Sequence, residues 1–132
     1  MSSALEAVQT SLVASLQSHQ PVMDMVTGIF DGPPARAKFP YIVMATGASL
    51  DWGHKTGEGR ELSLALTVHD DGISAARLHR IMARIEEALN DGVSDPSDWQ
   101  IVTFDFRRTR ILRSAISPWN GLIEYRARCL KT

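Results

Sequence analysis

The groups in this 132-residue chain that could do chemistry are four histidines, fifteen carboxylates and one cysteine, and their spacing decides what is open to them. His19, His54, His69 and His79 form neither an HExxH nor a His-x-His pattern, so no metal-ligand set is legible. A lone Cys129 excludes an internal disulfide and a cysteine metal cage, and is expected to be a small buried hydrophobe on the last strand. His69 followed by Asp70 and Asp71 is the nearest thing to an acid–base site, at a strand end where a base could sit. The same three residues also read as a strand end followed by an aspartate that caps the next helix. The run Gly53-His54-Lys55-Thr56-Gly57-Glu58-Gly59 superficially resembles a phosphate cradle, but it lacks the GxxxxGK[ST] order and leads into a strand. No catalytic residue, metal or cofactor is expected.

Arginines and tryptophans suggest contact rather than catalysis. Arg107, Arg108, Arg110 and Arg113 lie in one strand region beside Phe104 and Phe106. That combination fits an aromatic, basic nucleic-acid surface, or a solvated edge that discourages sheet aggregation, or a protein contact. The net charge of −1 favours the solvated edge or the protein contact over the nucleic-acid surface. Residues 1–98 carry seven Lys or Arg against thirteen Asp or Glu, whereas residues 99–132 carry seven against two. A surface polarised in this way can bring the acidic part of one copy onto the basic part of the next. Trp52, Trp99 and Trp119 all fall in or beside loops, where tryptophans serve as lids on a core or as interface anchors.

Hydrophobic residues make up 44% of the chain and charged residues 22%, a globular balance over one domain, residues 1–132. No apolar run approaches the roughly 18 residues a membrane span needs, and Met1-Ser2-Ser3-Ala4-Leu5-Glu6 lacks a signal-peptide layout, so a soluble intracellular product without membrane contact is expected. Ser3 and Glu6 form a capping box ahead of Leu5, Val8, Leu12 and Leu16, which predicts a helix of about four turns ending before Pro21. Pro21 then opens a short helical turn over Val22 to Thr27, closed by Gly28, and Asp31-Gly32-Pro33-Pro34 turns the chain. Phe39 to Ala45 is apolar almost throughout, as in a strand covered on both faces. Leu62, Leu64, Leu66 and Val68 alternate with Ser63, Ala65 and Thr67, as in a strand with one buried face.

Between those strands Gly47 to Gly59 reads as a long loop, and Ile73 to Asn90 reads as the main helix with Leu78, Ile81, Met82, Ile85 and Leu89 on one face. Trp99 to Ser114 reads as a strand with Val102, Phe104 and Phe106 on one side, interrupted by a bulge or bend at Arg107-Arg108. Pro118-Trp119-Asn120-Gly121 is read as a hairpin turn, and Leu122 to Leu130 as the closing strand. The result is an α+β domain: an antiparallel sheet with a long loop between two central strands and two main helices packed on one face.

The order of these pieces resembles the tail terminator (tail completion) proteins of long-tailed phages and gene transfer agents. The resemblance rests on the N-terminal helix with its Pro-Val turn, on Phe39-Pro40-Tyr41-Ile42-Val43, on the Leu62 to Val68 strand running through Asp70-Asp71-Gly72 into Ala75 to Leu89, and on the C-terminal hairpin ending in Tyr125 to Cys129. It implies a non-enzymatic homo-oligomer, typically a hexameric ring, that caps the tail tube, stops its growth and joins tail to head in a virion-like particle assembled in the bacterial cytoplasm. Its expected partners are the tail tube protein and the head–tail connector or stopper, with DNA passing through the channel without sequence-specific binding. A head–tail adaptor or stopper, or a small nucleic-acid-binding protein, is the alternative. Expected subunit or tube contacts are Trp52, His54, Lys55, Glu58, Arg60, Arg107, Arg108, Arg110, Arg113 and Trp119.

Overall fold

A computed structural model describes residues 3–32, 34–44, 47–115 and 117–132; Pro33 of the expected turn and Ala45 at the end of the apolar run lie outside these described residues. Helix α1 spans Ala4–Gln17, and Ser3 Oγ accepts the Glu6 backbone N–H at 3.1 Å, the capping geometry expected from sequence. One stripe of α1, Ala4, Val8, Leu12 and Leu16, is buried. Helix α2, Gln20–Met23, is a single turn, shorter than the span expected, and strand β1, Ile29–Asp31, follows it. β1 was not legible: three residues carry no period. It pairs parallel with β2, Tyr41–Met44, so the sheet is mixed rather than purely antiparallel.

β2 is buried along its whole length. Ile42 and Met44 enter the helix-covered core, while Tyr41 on the other face stacks on Phe39 (5.4 Å between centroids) and His69 (5.0 Å), with Phe30 edge-on at 5.9 Å. β2 pairs antiparallel with only the Leu66 to His69 part of β4, Gly59–Asp70. The rest of that β4 edge is taken by β3, Ala48–Asp51, which pairs with Arg60 to Ser63. The segment read as one long loop therefore contains a strand, and the connection that remains is Trp52 to Glu58. β3 escaped notice because it holds one large apolar residue, Leu50, and all four of its residues are exposed.

The sheet order is β1-β2-β4-β6-β5, with β5 Trp99–Leu112 and β6 Trp119–Lys131. Helix α3, Ala76–Leu89, joins β4 to β5 and buries the five apolar residues expected of it. Helices α1 and α3 share a core with Leu62, Leu64, Leu66 and Val68 of β4 and Ile123, Tyr125, Ala127 and Cys129 of β6. Each fully buried aliphatic side chain there is worth about 1.5–3 kcal/mol. Cys129 is buried on the last strand, as expected.

Two turn readings need correction. Asp70 and Asp71 do not cap α3, whose N-cap is Ala75. Fully buried Asp70 instead accepts three hydrogen bonds from Arg77 in the first turn of α3, and Asp71 accepts a fourth at 3.2 Å. Asn120-Gly121 is not a hairpin turn but part of β6, opposite His69 and Val68. Gly121 is required by packing: a Cβ there would stand 3.0 Å from both Leu78 Cδ1 and Met82 Cε, so glycine lets α3 lie close on the sheet. The turn is displaced to the residues between Leu112 and Trp119.

Candidate interaction surface

Among the described residues no helix lies over the face of the sheet opposite α1 and α3. On it Glu61, Ser63 and Thr67 of β4 lie beside Leu122, Glu124, Arg126 and Arg128 of β6, none of them fully buried. Strand alternation puts these charges outward because the intervening residues fill the core. Register then brings them together. Arg126 Nε and Arg128 Nε stand 3.4 and 3.6 Å from the same Glu61 Oε1, and neither nitrogen has a hydrogen-bond partner. One carboxylate is thus shared by two guanidiniums. Alongside, Arg108 of β5 forms an ion pair with Glu124, which holds that carboxyl below the usual glutamate range and raises the arginine. A shallow concavity of about 470 Å³ opens over this lattice, bordered by Leu50, Glu61, Arg107 and Arg126.

The residues expected at interfaces fall into three groups. Trp52, His54, Lys55, Glu58 and Arg60 lie at the β3–β4 end. There His54 and Gly57 close a tight turn through reciprocal backbone hydrogen bonds of 3.0 and 3.2 Å, and His54 Nδ1 lies 3.1 Å from Thr56 Oγ1. Half-buried Trp52 lies under Arg128, whose guanidinium carbon is 5.6 Å from the ring centroid. Arg113 and Trp119 lie together at the far end, Arg113 4.5 Å over the indole, whose Nε1 donates to Gly72 O at 3.0 Å. Trp119 is thereby a partly buried pin on the β4–α3 loop, and Trp99 is a core residue. Arg107, Arg108 and Arg110 form the third group, on β5.

Two register shifts in the β5–β6 pairing mark bulges, one at Val102 and one at Arg107, the latter where the double arginine predicts it. The first shift reverses the expected sidedness of β5. Ile101 and Phe104 pack toward the core, Phe104 stacking on Tyr125 at 4.9 Å, and Val102 is exposed. Burial, with the nearby Glu86 charge, pushes the Tyr125 phenol well up. From Asp105 to Leu112 every residue of β5 is exposed, including Phe106 (49%), Ile111 (38%) and Leu112 (44%). Among the described residues β5 pairs with β6 alone, and the start of its other edge is covered by the preceding loop, where the Trp99 N–H donates to Pro96 O at 3.5 Å and the Ile101 N–H to Asp95 Oδ1 at 2.9 Å. The sequence reading missed Glu61, Glu124, Arg126 and Arg128 as a set. The alternation of Leu122 to Leu130 puts its charges outward, but their meeting Glu61 depends on register.

The His69 corner is compact rather than open. Ser117, fully buried, donates its hydroxyl to Asn120 Oδ1 and lies 2.9 Å from His69 Nδ1, so its oxygen is left to accept from Nδ1–H. Asn120 Nδ2 donates to Ser114 Oγ at 3.1 Å and to Ser117 O at 3.3 Å, which fixes the amide orientation. Burial lowers the His69 pKa, partly opposed by the hydrogen bond with Asn120. This network ties the turn before β6 to the end of β4. Among the described residues no cluster of three His, Cys, Asp or Glu could hold a metal, and no helix is long and apolar enough to cross a membrane.

A family model described as "Tail completion protein gp17" matches residues 10–130. The tail completion protein gp17 of Bacillus phage SPP1 is 30% identical over 86 residues, 65% of this chain, and the match spans 63% of that relative's length. Among solved structures, a chain of the native gene transfer agent virion superposes with a TM-score of 0.84 at 21% identity, covering 99% of this chain and all of that one. The structure of SPP1 gp17 superposes with a TM-score of 0.64 at 23% identity, over 94% of this chain and 89% of that one.

Proposed function

From the premise that the chain belongs to the tail completion protein gp17 family of structural tail proteins, we propose that it is a non-enzymatic tail terminator. Copies assemble head to tail into a closed ring on the end of the tail tube, stop its growth and present the opposite side of the ring to the head connector. DNA passes through the channel without sequence-specific contact. The protein works at the head-proximal end of the tail, and Trp52, Arg60, Arg107, Arg110 and the other residues expected at interfaces serve subunit or tube contacts.

The observation that carries this reading is the unfinished end of the sheet. A fourteen-residue strand with an open edge, exposed Phe106, Ile111 and Leu112 and three neighbouring arginines is a poor surface for an isolated subunit, since such edges template pairing with other chains. A heterologous contact either closes into a ring or polymerises without limit, and a terminator needs closure. Negative-stain electron microscopy of the purified protein is expected to show rings of one size, and the rings are expected to cap tubes polymerised from the cognate tube protein. A protein that stays monomeric with and without tubes overturns the reading.

A further inference from the structure

We infer that the ring is closed by β-strand pairing, the free edge of β5 in one copy adding antiparallel to the free edge of β1 in the next. This deepens the ring reading above and rests on it. Three independent features of the sheet point to the pairing.

The first is strand direction. β5 is antiparallel to β6, β6 to β4 and β4 to β2, while β1 is parallel to β2, so β1 and β5, the two outermost strands, run in opposite directions. Rotation about an axis along the strands preserves every direction. A β5 edge then meets the neighbour's β1 edge as an antiparallel pair, the more stable kind.

The second is shape. Along one half of the sheet the chain contributes β3, β4, β6 and β5; along the other half it contributes β1, β2, β4, β6 and β5, one strand more. The β1 side therefore has a step, protruding at β1 and recessed at β3. The β5 side has the matching step. Its first part is covered by the loop before it, where Asp95 holds the Ile101 N–H, and its part from Arg107 to Leu112 is bare. Through the ladder, Ile29 to Asp31 are level with Ile111 to Thr109, so the protruding strand meets the bare edge. The covering loop meets the recess at β3, whose four residues are exposed.

The third is charge. The alternative use of the β5 edge is a two-fold pair with β5 of a second copy. That would set Arg107, Arg108 and Arg110 against the same residues of the partner, and like charges facing across a ladder are destabilising. β1 holds no cation and ends in exposed Asp31. The arginines thus reject the symmetric dimer and accept the head-to-tail neighbour.

Closure is geometrically feasible. Where β1 meets β5, five strands per copy at a spacing of about 4.8 Å give, for six copies, a backbone diameter of roughly 46 Å. A helix layer about 10 Å thick fits only outside such a barrel if DNA is to pass, so the open face with Glu61, Arg126 and Arg128 lines the channel.

The test is disulfide cross-linking of assembled rings. Asp31→Cys is combined in turn with Arg107→Cys, Thr109→Cys and Ile111→Cys. Native Cys129 is buried, so Asp31→Cys alone is the background control. On mild oxidation at least one Asp31 pair is expected to give a ladder of covalent oligomers ending at the ring number. Rings seen by microscopy that yield no ladder with any pair overturn the strand pairing and leave the ring reading standing. Dimers from a β5 cysteine alone overturn it in favour of the two-fold contact. If the unsubstituted protein forms no rings under any condition, the ring reading falls and this inference falls with it.

Discussion

β6 and the second half of β5 are two sides of one hairpin, yet they have opposite fates. β6 alternates buried and half-buried residues from Gly121 to Leu130 because α3 lies along one of its faces. β5 is exposed on both faces from Asp105 to Leu112, although Phe106, Ile111 and Leu112 are as apolar as anything in β6. The difference is the reach of α3, whose buried stripe covers β4 and β6 and leaves the edge strand bare. Burial on β6 serves the fold of the subunit, and the apolar surface kept in solvent on β5 serves a contact outside it.

Breaking the covered side should have the largest effect. Leu66→Ala, at a buried β4 position in the core shared with α1 and α3, is expected to cost about 2–5 kcal/mol of folding stability. Gly121→Val, which drives a branched side chain into Leu78 and Met82, is expected to cost about 1–3 kcal/mol. Urea denaturation of the isolated subunit measures both. A Gly121→Val subunit as stable as wild type would show that α3 is not held against β6 at this point.

On the bare side the stability effect should be small while assembly fails. Leu112→Ala together with the triple reversal of Arg107, Arg108 and Arg110 to Glu is expected to leave the subunit folded, with a small loss of stability where Arg108→Glu meets Glu124 across the β5–β6 ladder. Surface substitutions away from caps and core are usually within about 0.5 kcal/mol. Rings should be lost, because reversal places like charges across the contact instead of only removing rim pairs. Variants that assemble normally yet retain or release DNA differently would move these arginines from the neighbour to the channel. Added salt should weaken wild-type rings, since exposed charges are screened beyond about 8 Å at physiological ionic strength.

The same contrast explains what could be read from sequence. Leu62 to Val68, the α3 stripe and the Ser3 cap were legible because burial writes a period or a cap into the chain. The Arg107 bulge was legible because two arginines break an alternation. β1 and β3 were not: three and four residues carry no period, and their pairing is decided by vacant edges on β2 and β4. Asn120-Gly121 misled because glycine serves close helix approach as well as turns. The convergence of Arg126 and Arg128 on Glu61 depends on register, which alternation alone does not give.

The sharpest check on the covered corner is the pH dependence set by His69. Its pKa is lowered from the ordinary histidine value by burial, where the ring stacks on Tyr41, and the hydrogen bond with Asn120 opposes part of that shift. Below the unfolded-state pKa of about 6.5 the unfolded chain takes up a proton that the folded one resists, so stability rises with pH through this range. The contribution is fully present above that value and is lost as pH falls below it. The sign is opposite to that of a histidine paired with a carboxylate. Urea midpoints of the wild type are expected to drop between pH 8 and pH 5, whereas His69→Phe, which keeps the stack on Tyr41 but cannot protonate, should show a smaller drop. That variant should also be weaker than wild type at pH 8, since it leaves the Ser117 oxygen without its donor, and a buried acceptor left unsatisfied costs about 1–3 kcal/mol at most. Equal pH dependence in the two proteins would assign the titration to other groups and show that His69 protonates in place without disturbing the corner.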